Sequence, residues 1–185
     1  MLTAKKAARI IEYLGLQTDG QPVEITRLNK LLFFAQGHSL AELGHALFEN
    51  QVDAWDHGPV VPVVFSGYDK IVEKANKTGI EDIQATPEEM DLIMDVWDRY
   101  RGYNAKRLVD MTHEEGTPWS DIYMPGVKNA HIPVELMKKY FSRPENRLHR
   151  FSANEENLLA VRALPAEEYD PDEDAIWEGL LNDAP

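Results

Sequence analysis

The stretch Arg27 to Leu43, "RLNKLLFFAQGHSLAEL", decides the fold. Leu28, Leu31, Leu32, Ala35 and Leu43 recur at the spacing of one helical face, with Thr26 placed to cap the helix and Gly44 to close it. Phe33 and Phe34 widen the apolar face beyond one stripe, so this helix is expected at the centre of the molecule. Upstream, Thr3 can cap a first helix whose inner stripe is Ala7, Ile10, Ile11 and Leu14. Gly15 and the "TDGQP" loop are expected to end it.

Downstream, "ALFENQVDAWDHGP" breaks the helical period. Val52 and Ala54 alternate with Asp53, and Asn50 and Gly58-Pro59 supply turn residues, which predicts a short strand or hairpin. Pro62 suits the first turn of a helix through Val63, Val64 and Phe65. "ATPEEMDLIMDVWDRYRGYN" carries the clearest helix signal: Thr86 as cap, Pro87 at the first position and Glu89 completing a capping box. Its expected stripe is Met90, Ile93, Met94, Trp97 and Tyr100, and Gly102 stops it. Asn104 can cap a short helix through Leu108, Val109 and Met111; "THEEGTPWSDIYMPGVKN" then reads as a loop before Pro133 opens "PVELMKKYF". Ser152 and Glu155 form a further possible capping box, leading to "NLLAVRAL".

The fold class is therefore mainly α: a compact helical domain with a small β-hairpin element, followed by an acidic C-terminal extension. The domain is drawn over residues 1–143, with a C-terminal helix and acidic tail over 144–185. From Ala166 to Pro185 there are eight acidic residues and no Lys or Arg. Ile176, Trp177, Leu180 and Leu181 would share one face if that part is helical.

Composition narrows the function. A net charge of -13 argues against gripping nucleic-acid phosphates or anionic membranes and suits a basic partner. The absence of cysteine removes disulfide, zinc-thiolate and thiol chemistry and suits a reducing cytoplasm. The N-terminal apolar run is interrupted by Arg9 and Glu12, unlike a signal peptide, and no apolar run approaches the ~20 residues of a membrane span.

Catalytic motifs are scarce. "HEEGT" at His113 lacks the second histidine of a zinc protease, and no G-x-S-x-G elbow or Walker-type loop is present. Glu114 and Glu115 read as solvated loop acids. His57, before Gly58-Pro59, reads as a residue that sets the corner by hydrogen-bonding nearby backbone, with a catalytic role as the competing reading. Trp55 and Trp119 read as core residues, with "TPW" a loop pinned by a buried ring.

Together these segments resemble the Panacea domain, the SocA-like antitoxin family. The resemblance is carried by Lys30–Gln36, similar to the family's "KLLYFAQ" core, by Ala46-Leu47-Phe48 for "PLF", and by Ala54–Pro62 for "AW-x-HGPVVP". Leu108–Trp119 is similar to its "L-x-x-LTH-x-E-x-PW" element, with Met111 for leucine, and "HIPVELMKKYF" to its last helix. Ala46 stands where proline is usual. The resemblance covers roughly residues 4–142. It implies a mostly helical domain with a small β element, and an antitoxin that neutralises a cognate toxin by direct contact, of a kind common on prophages and other mobile elements. Toxins paired with the family often stop translation or alter nucleotides, and a basic toxin surface would complement this chain. The resemblance implies no catalytic residue, metal or cofactor. It leaves Trp55, His57, Gly58, Pro59, His113 and Trp119 as partner-binding or fold-defining positions, and the composition of the acidic tail adds Trp177. Two other functions compete: a proteolysis adaptor that uses the tail as its delivery element, and a hydrolase using His57 or His113.

Overall fold

A computed structural model describes residues 1–127 and 130–148. The expected capping box Ser152/Glu155, the tail face Ile176–Leu181 and Trp177 lie outside the described residues.

The central helix α2, Ile25–Glu42, is buried without interruption from Leu28 to Leu40. A helix buried on all sides must be surrounded, and α2 is. It packs against α1 (Ala4–Asp19), α5 (Pro87–Tyr100), α6 (Ala105–His113) and α8 (Val134–Phe141). On the α8 side, Phe33, Phe34, Tyr100 and Phe141 form the aromatic core. Phe34 stacks on Tyr100 at 4.4 Å, and Phe33 meets Phe141 edge-on at 5.5 Å. Gly37 makes this contact possible: a Cβ there would lie 2.1 Å from the Phe141 ring. His38, buried beside them, bonds the Tyr100 hydroxyl at 3.0 Å, and burial pushes its imidazole down to about 3.

Local cap chemistry sets most helix starts. The Thr3 hydroxyl accepts from Lys6 N–H, the Asn104 side chain accepts from Arg107 N–H, and Thr86 and Glu89 close a full capping box. The remaining helices are α3 (Pro62–Phe65), α4 (Tyr68–Thr78) and α7 (Pro118–Ile122), with a 3₁₀ turn at Pro144–Asn146. The hairpin is β1 (Asp53–Trp55) and β2 (Gly58–Val60), paired Asp53 with Val60 and Trp55 with Gly58, so Asp56 and His57 form a two-residue turn. A third antiparallel strand, β3 (Ala130–His131), pairs on the other edge of β1, giving the order β2-β1-β3.

The fold is mainly α with a small antiparallel sheet, as expected, with six differences in detail. Helix α1 runs past Gly15 to Asp19 and ends at Gly20, whose φ is 67°. Gly15 is small because Val23 packs within 2.5 Å of where its Cβ would be. Helix α2 is capped by Glu24, whose carboxylate accepts from Thr26 N–H; Thr26 is already inside it. On α5 the buried positions include Leu92 and Val96, while Met94 faces outward. The stretch after Thr112 contains α7, capped by Thr117, instead of a continuous loop. Helix α4 and strand β3 had no counterpart among the expected elements. Among the described residues no helix is long and apolar enough to cross a membrane.

Candidate functional site

The site is built around three of the polar side chains that α2 buries, Asn29, Lys30 and Gln36. Each is fastened to a backbone segment far away in sequence. Gln36 accepts from the N–H groups of Leu47 and Phe48, at 2.9 and 3.1 Å, and donates to the Phe48 carbonyl at 2.9 Å. Asn29 accepts from Val61 N–H at 2.9 Å. Lys30 donates from Nζ to the Pro59 carbonyl at 3.0 Å. The turn segment and the hairpin therefore hang on one face of α2 through hydrogen bonds made in a dry interior, where leaving either partner unmet is costly.

Lys30 explains the Gly-Pro corner. The side chain has no exposed surface, and burial lowers its ammonium to about 8. A Cβ on Gly58 would lie 2.6 Å from Lys30 Cε and 2.8 Å from Thr112 Oγ1. The φ of Gly58 is 94°, a region that side-chain-bearing residues rarely adopt. Both the backbone angle and the close approach of Lys30 thus require glycine at this position.

The corner gathers the two motif segments into one cluster. Trp119, on α7, donates its indole N–H to the Trp55 carbonyl at 2.9 Å. Its ring lies between His113, stacked face to face at 3.7 Å, and Tyr123 at 4.4 Å. The Tyr123 hydroxyl reaches Asp56 at the hairpin turn, at 3.0 Å. Thr117 both caps α7 and donates to the Thr112 carbonyl at 2.7 Å, which folds "TPW" back on α6. Burial, and then the charge of Lys30, lower the His113 imidazole below its ordinary value.

Beside this cluster, between α2, the hairpin and α3, lies a cavity of about 520 Å³. Trp55 and Phe65 meet edge-on at 5.1 Å on one wall, and Val60 and Val127 add aliphatic surface. Lys30, Asp56 and His57 also line it. Phe65 is 44% exposed and Val127 is 45% exposed, so the mouth has an apolar rim.

Six of the seven positions singled out in the sequence fall at this corner: Trp55, His57, Gly58, Pro59, His113 and Trp119. Trp119 is the buried, pinning ring that "TPW" suggested. Two readings are corrected. Trp55 is half-buried on a cavity wall rather than in the core: Asp53 and Ala54 of its strand are buried, but Trp55 stands at the strand's end, next to the turn, with its ring against Phe65. His57 sets no corner by hydrogen bonding: it is exposed at the turn, and among the described residues it bonds to nothing, since Lys30 already holds the Pro59 carbonyl. Lys30, Asn29 and Gln36 were missed as site residues. The available signal was that these residues, with His38 and Ser39, interrupt a run too apolar and too long to be one face of a surface helix.

The family model for the antitoxin SocA-like Panacea domain matches residues 28–120, from α2 to the start of α7. The chain belongs to the Panacea family. Antitoxin SocA of Caulobacter vibrioides (strain NA1000 / CB15N) is 33% identical over 130 residues, covering 64% of this chain and 69% of that protein. No solved structure matches the chain significantly. The Panacea match begins and ends on the segments that Lys30 and Trp119 tie together, and membership supports an antitoxin role.

Proposed function

We propose that the protein is an antitoxin that neutralises a cognate toxin by binding it directly, through contact rather than catalysis. The observation that carries this reading is the Panacea match over residues 28–120. The net charge of -13 supports a toxin with a basic surface, such as one that handles RNA or nucleotides, because opposite charge speeds encounter and the bound acidic protein would cover that surface. The exposed apolar rim of Phe65 and Val127 supports a contact at the hairpin corner, where fixed hydrogen bonds hold the surrounding backbone in place. We place the protein in the cytoplasm, in keeping with its lack of cysteine. We take residues 1–143 as the toxin-binding domain and 144–185 as an extension.

The test is to express the product of the neighbouring reading frame alone, to see whether it is toxic, and then together with this protein, followed by co-purification. Growth rescue together with a stable complex, at unchanged toxin abundance, is the expected outcome. Rescue that needs a protease and lowers toxin abundance would replace neutralisation by contact with delivery to degradation.

A further inference from the structure

Exposed apolar side chains are unevenly spread over the described surface. Of the eight large ones, four lie on two short segments that flank the hairpin corner: Val63 and Phe65 on α3, and Met124 and Val127 on the loop after α7. Single exposed apolar residues need no explanation, but a group of them at the mouth of a cavity does. The loop is fastened where it starts and where it returns. Tyr123 stacks on Trp119 and donates to Asp56, and Val127 N–H donates to the Met124 carbonyl at 3.1 Å, closing a turn with Gly126 at a φ of 80°. Across the cavity, Phe65 is held edge-on against Trp55. The rim is thus already in place before anything binds, which lowers the ordering cost of association.

The carboxylates at this rim are open, and the cations around it are engaged elsewhere. Asp56 is exposed at the hairpin turn, and its second oxygen makes no hydrogen bond or ion pair among the described residues. Glu24, also exposed, caps α2 beside Thr26, which lines the cavity. The Lys30 ammonium is turned inward to the Pro59 carbonyl. Arg27 pairs with Asp19 and lies over the Trp97 ring, and Lys5, packed over Gly67, is outside the lining. We propose that this rim docks a segment of a basic partner polypeptide, with one apolar side chain inserted among Trp55, Phe65 and Val127 and a Lys or Arg beside it, outside the cavity, at Asp56. An apolar anchor in a pocket supplies contact area, and the charge at its edge selects the partner and speeds encounter. A second copy of this chain, at a net charge of -13, brings like charge to the rim, and so does the acidic segment Ala166 to Pro185. The proposal rests on the toxin reading only in taking that partner to be the toxin.

The test of the site needs no toxin. The full chain is titrated with acetyl-Arg-Phe-Arg-amide, acetyl-Glu-Phe-Glu-amide and acetyl-Arg-Ala-Arg-amide. Binding is followed at the Trp55 indole N–H resonance, assigned by its loss in Trp55→Phe. The first peptide should move that resonance and bind about ten-fold more tightly than either of the others. Asp56→Asn should narrow the preference for Arg over Glu, and Phe65→Ser the preference for Phe over Ala. Should either variant fail to fold, the three-peptide comparison on the unmodified chain decides. Equal affinity for the Phe and Ala peptides, or a Trp55 resonance that none of them moves, overturns the proposal. An Arg preference that is unchanged in Asp56→Asn reflects net charge alone and overturns the placement of the cation. A dimer in sedimentation that is lost in Phe65→Ser, or movement of the Trp55 resonance by a free peptide of residues 166–185, gives the rim another occupant and also overturns it. The identity of the partner is read separately, in the co-expression assay. Phe65→Ser should lose rescue, while Met94→Ser, at a similarly exposed apolar position on α5, should keep it. Rescue kept in both variants overturns the toxin as the occupant and leaves the antitoxin reading standing. Absence of rescue by the unmodified chain overturns that reading and leaves the docking site to the peptide result.

Discussion

The two flanks of α2 hold their neighbours by different physics. Toward α8 the contact is ring packing: Phe33, Phe34, Gly37 and the His38 ring receive Phe141 with no hydrogen bond to it. Toward the hairpin and the segment before it the contact is made by hydrogen bonds with backbone: Asn29 accepts from Val61, Lys30 donates to Pro59, and Gln36 makes three bonds with Leu47 and Phe48. Apolar packing is non-directional and scales with area, so it supplies stability. A buried hydrogen bond adds little net energy but penalises every arrangement that leaves it unmade, so it fixes geometry. The first flank should therefore set whether the domain folds, and the second where the hairpin sits.

The comparison breaks if the aromatic flank proves dispensable. Phe141 is 1% exposed and touches Phe33, Phe34 and His38. Phe141→Ala is expected to cost ~3–5 kcal/mol, the range for emptying an aromatic site in a core. Denaturant unfolding measures it. A cost below about 1 kcal/mol would mean that α8 is not part of the cooperative unit.

The hairpin flank should respond less, and locally. Gly58→Val puts a branched residue at a φ of 94° and drives its Cβ toward Lys30 Cε. The backbone alone accounts for about 1–2 kcal/mol, and the displaced Lys30–Pro59 bond adds to it. Hydrogen exchange should show the loss concentrated at Trp55–Val61, with α5 and α8 still protected. Uniform loss across the domain would show that the corner is as central to stability as the aromatic core.

Two buried charges sharpen the contrast through their opposite pH dependence. Glu12, on α1, has one oxygen bonded to Val23 N–H, and burial pushes its carboxyl from 4.5 up to about 7. The folded state therefore holds a proton that the unfolded state releases, so the contribution of Glu12 is full below about pH 4.5 and is lost as pH rises through 7. Lys30 runs the other way. Its ammonium falls from 10.5 to about 8, the folded state binds its proton more weakly, and stability rises between those two values. Glu12→Gln should flatten the stability profile between pH 4.5 and 7, and Lys30→Met should flatten it between pH 8 and 10.5. Melting temperatures across pH check both. A profile unchanged in the Glu12→Gln variant would mean that water reaches the carboxyl.

How far the sequence foretold this depends on the range of the deciding interaction. Caps such as Thr86 with Glu89, and Asn104 with Arg107, are made within three residues and were legible. The centrality of α2 was legible from its Phe33-Phe34 excess. Helix α4 was not, because Gly67 supplies no side-chain cap and only Ile71 and Ala75 are buried on it. Strand β3 has two residues, and its partner Asp53 lies far away in the chain. At the site, "HGP" and "TPW" were visible as special, yet the residue that explains the first of them, Lys30, looked like an ordinary polar gap in a helical stripe. Its meaning depends on Pro59, and nothing local in the sequence connects the two.

The smallest effect is expected where the sequence drew most attention. His57 projects from the hairpin turn, exposed, and among the described residues it makes no hydrogen bond. The Pro59 carbonyl is already taken by Lys30, and the Trp55 carbonyl by Trp119. The corner therefore stands without the imidazole. His57→Asn should change stability by less than about 0.5 kcal/mol, as for surface substitutions that remove no contact. Its place on the cavity lining makes it accessible to a bound partner, so two measurements are needed. The melting temperature tests the structural half, and toxin rescue by the same variant tests the functional half. An unchanged melt with rescue retained confines the role of the corner to Lys30, Gly58 and Trp119. An unchanged melt with toxin binding lost would make His57 a contact residue, and would put the partner directly over the cavity mouth.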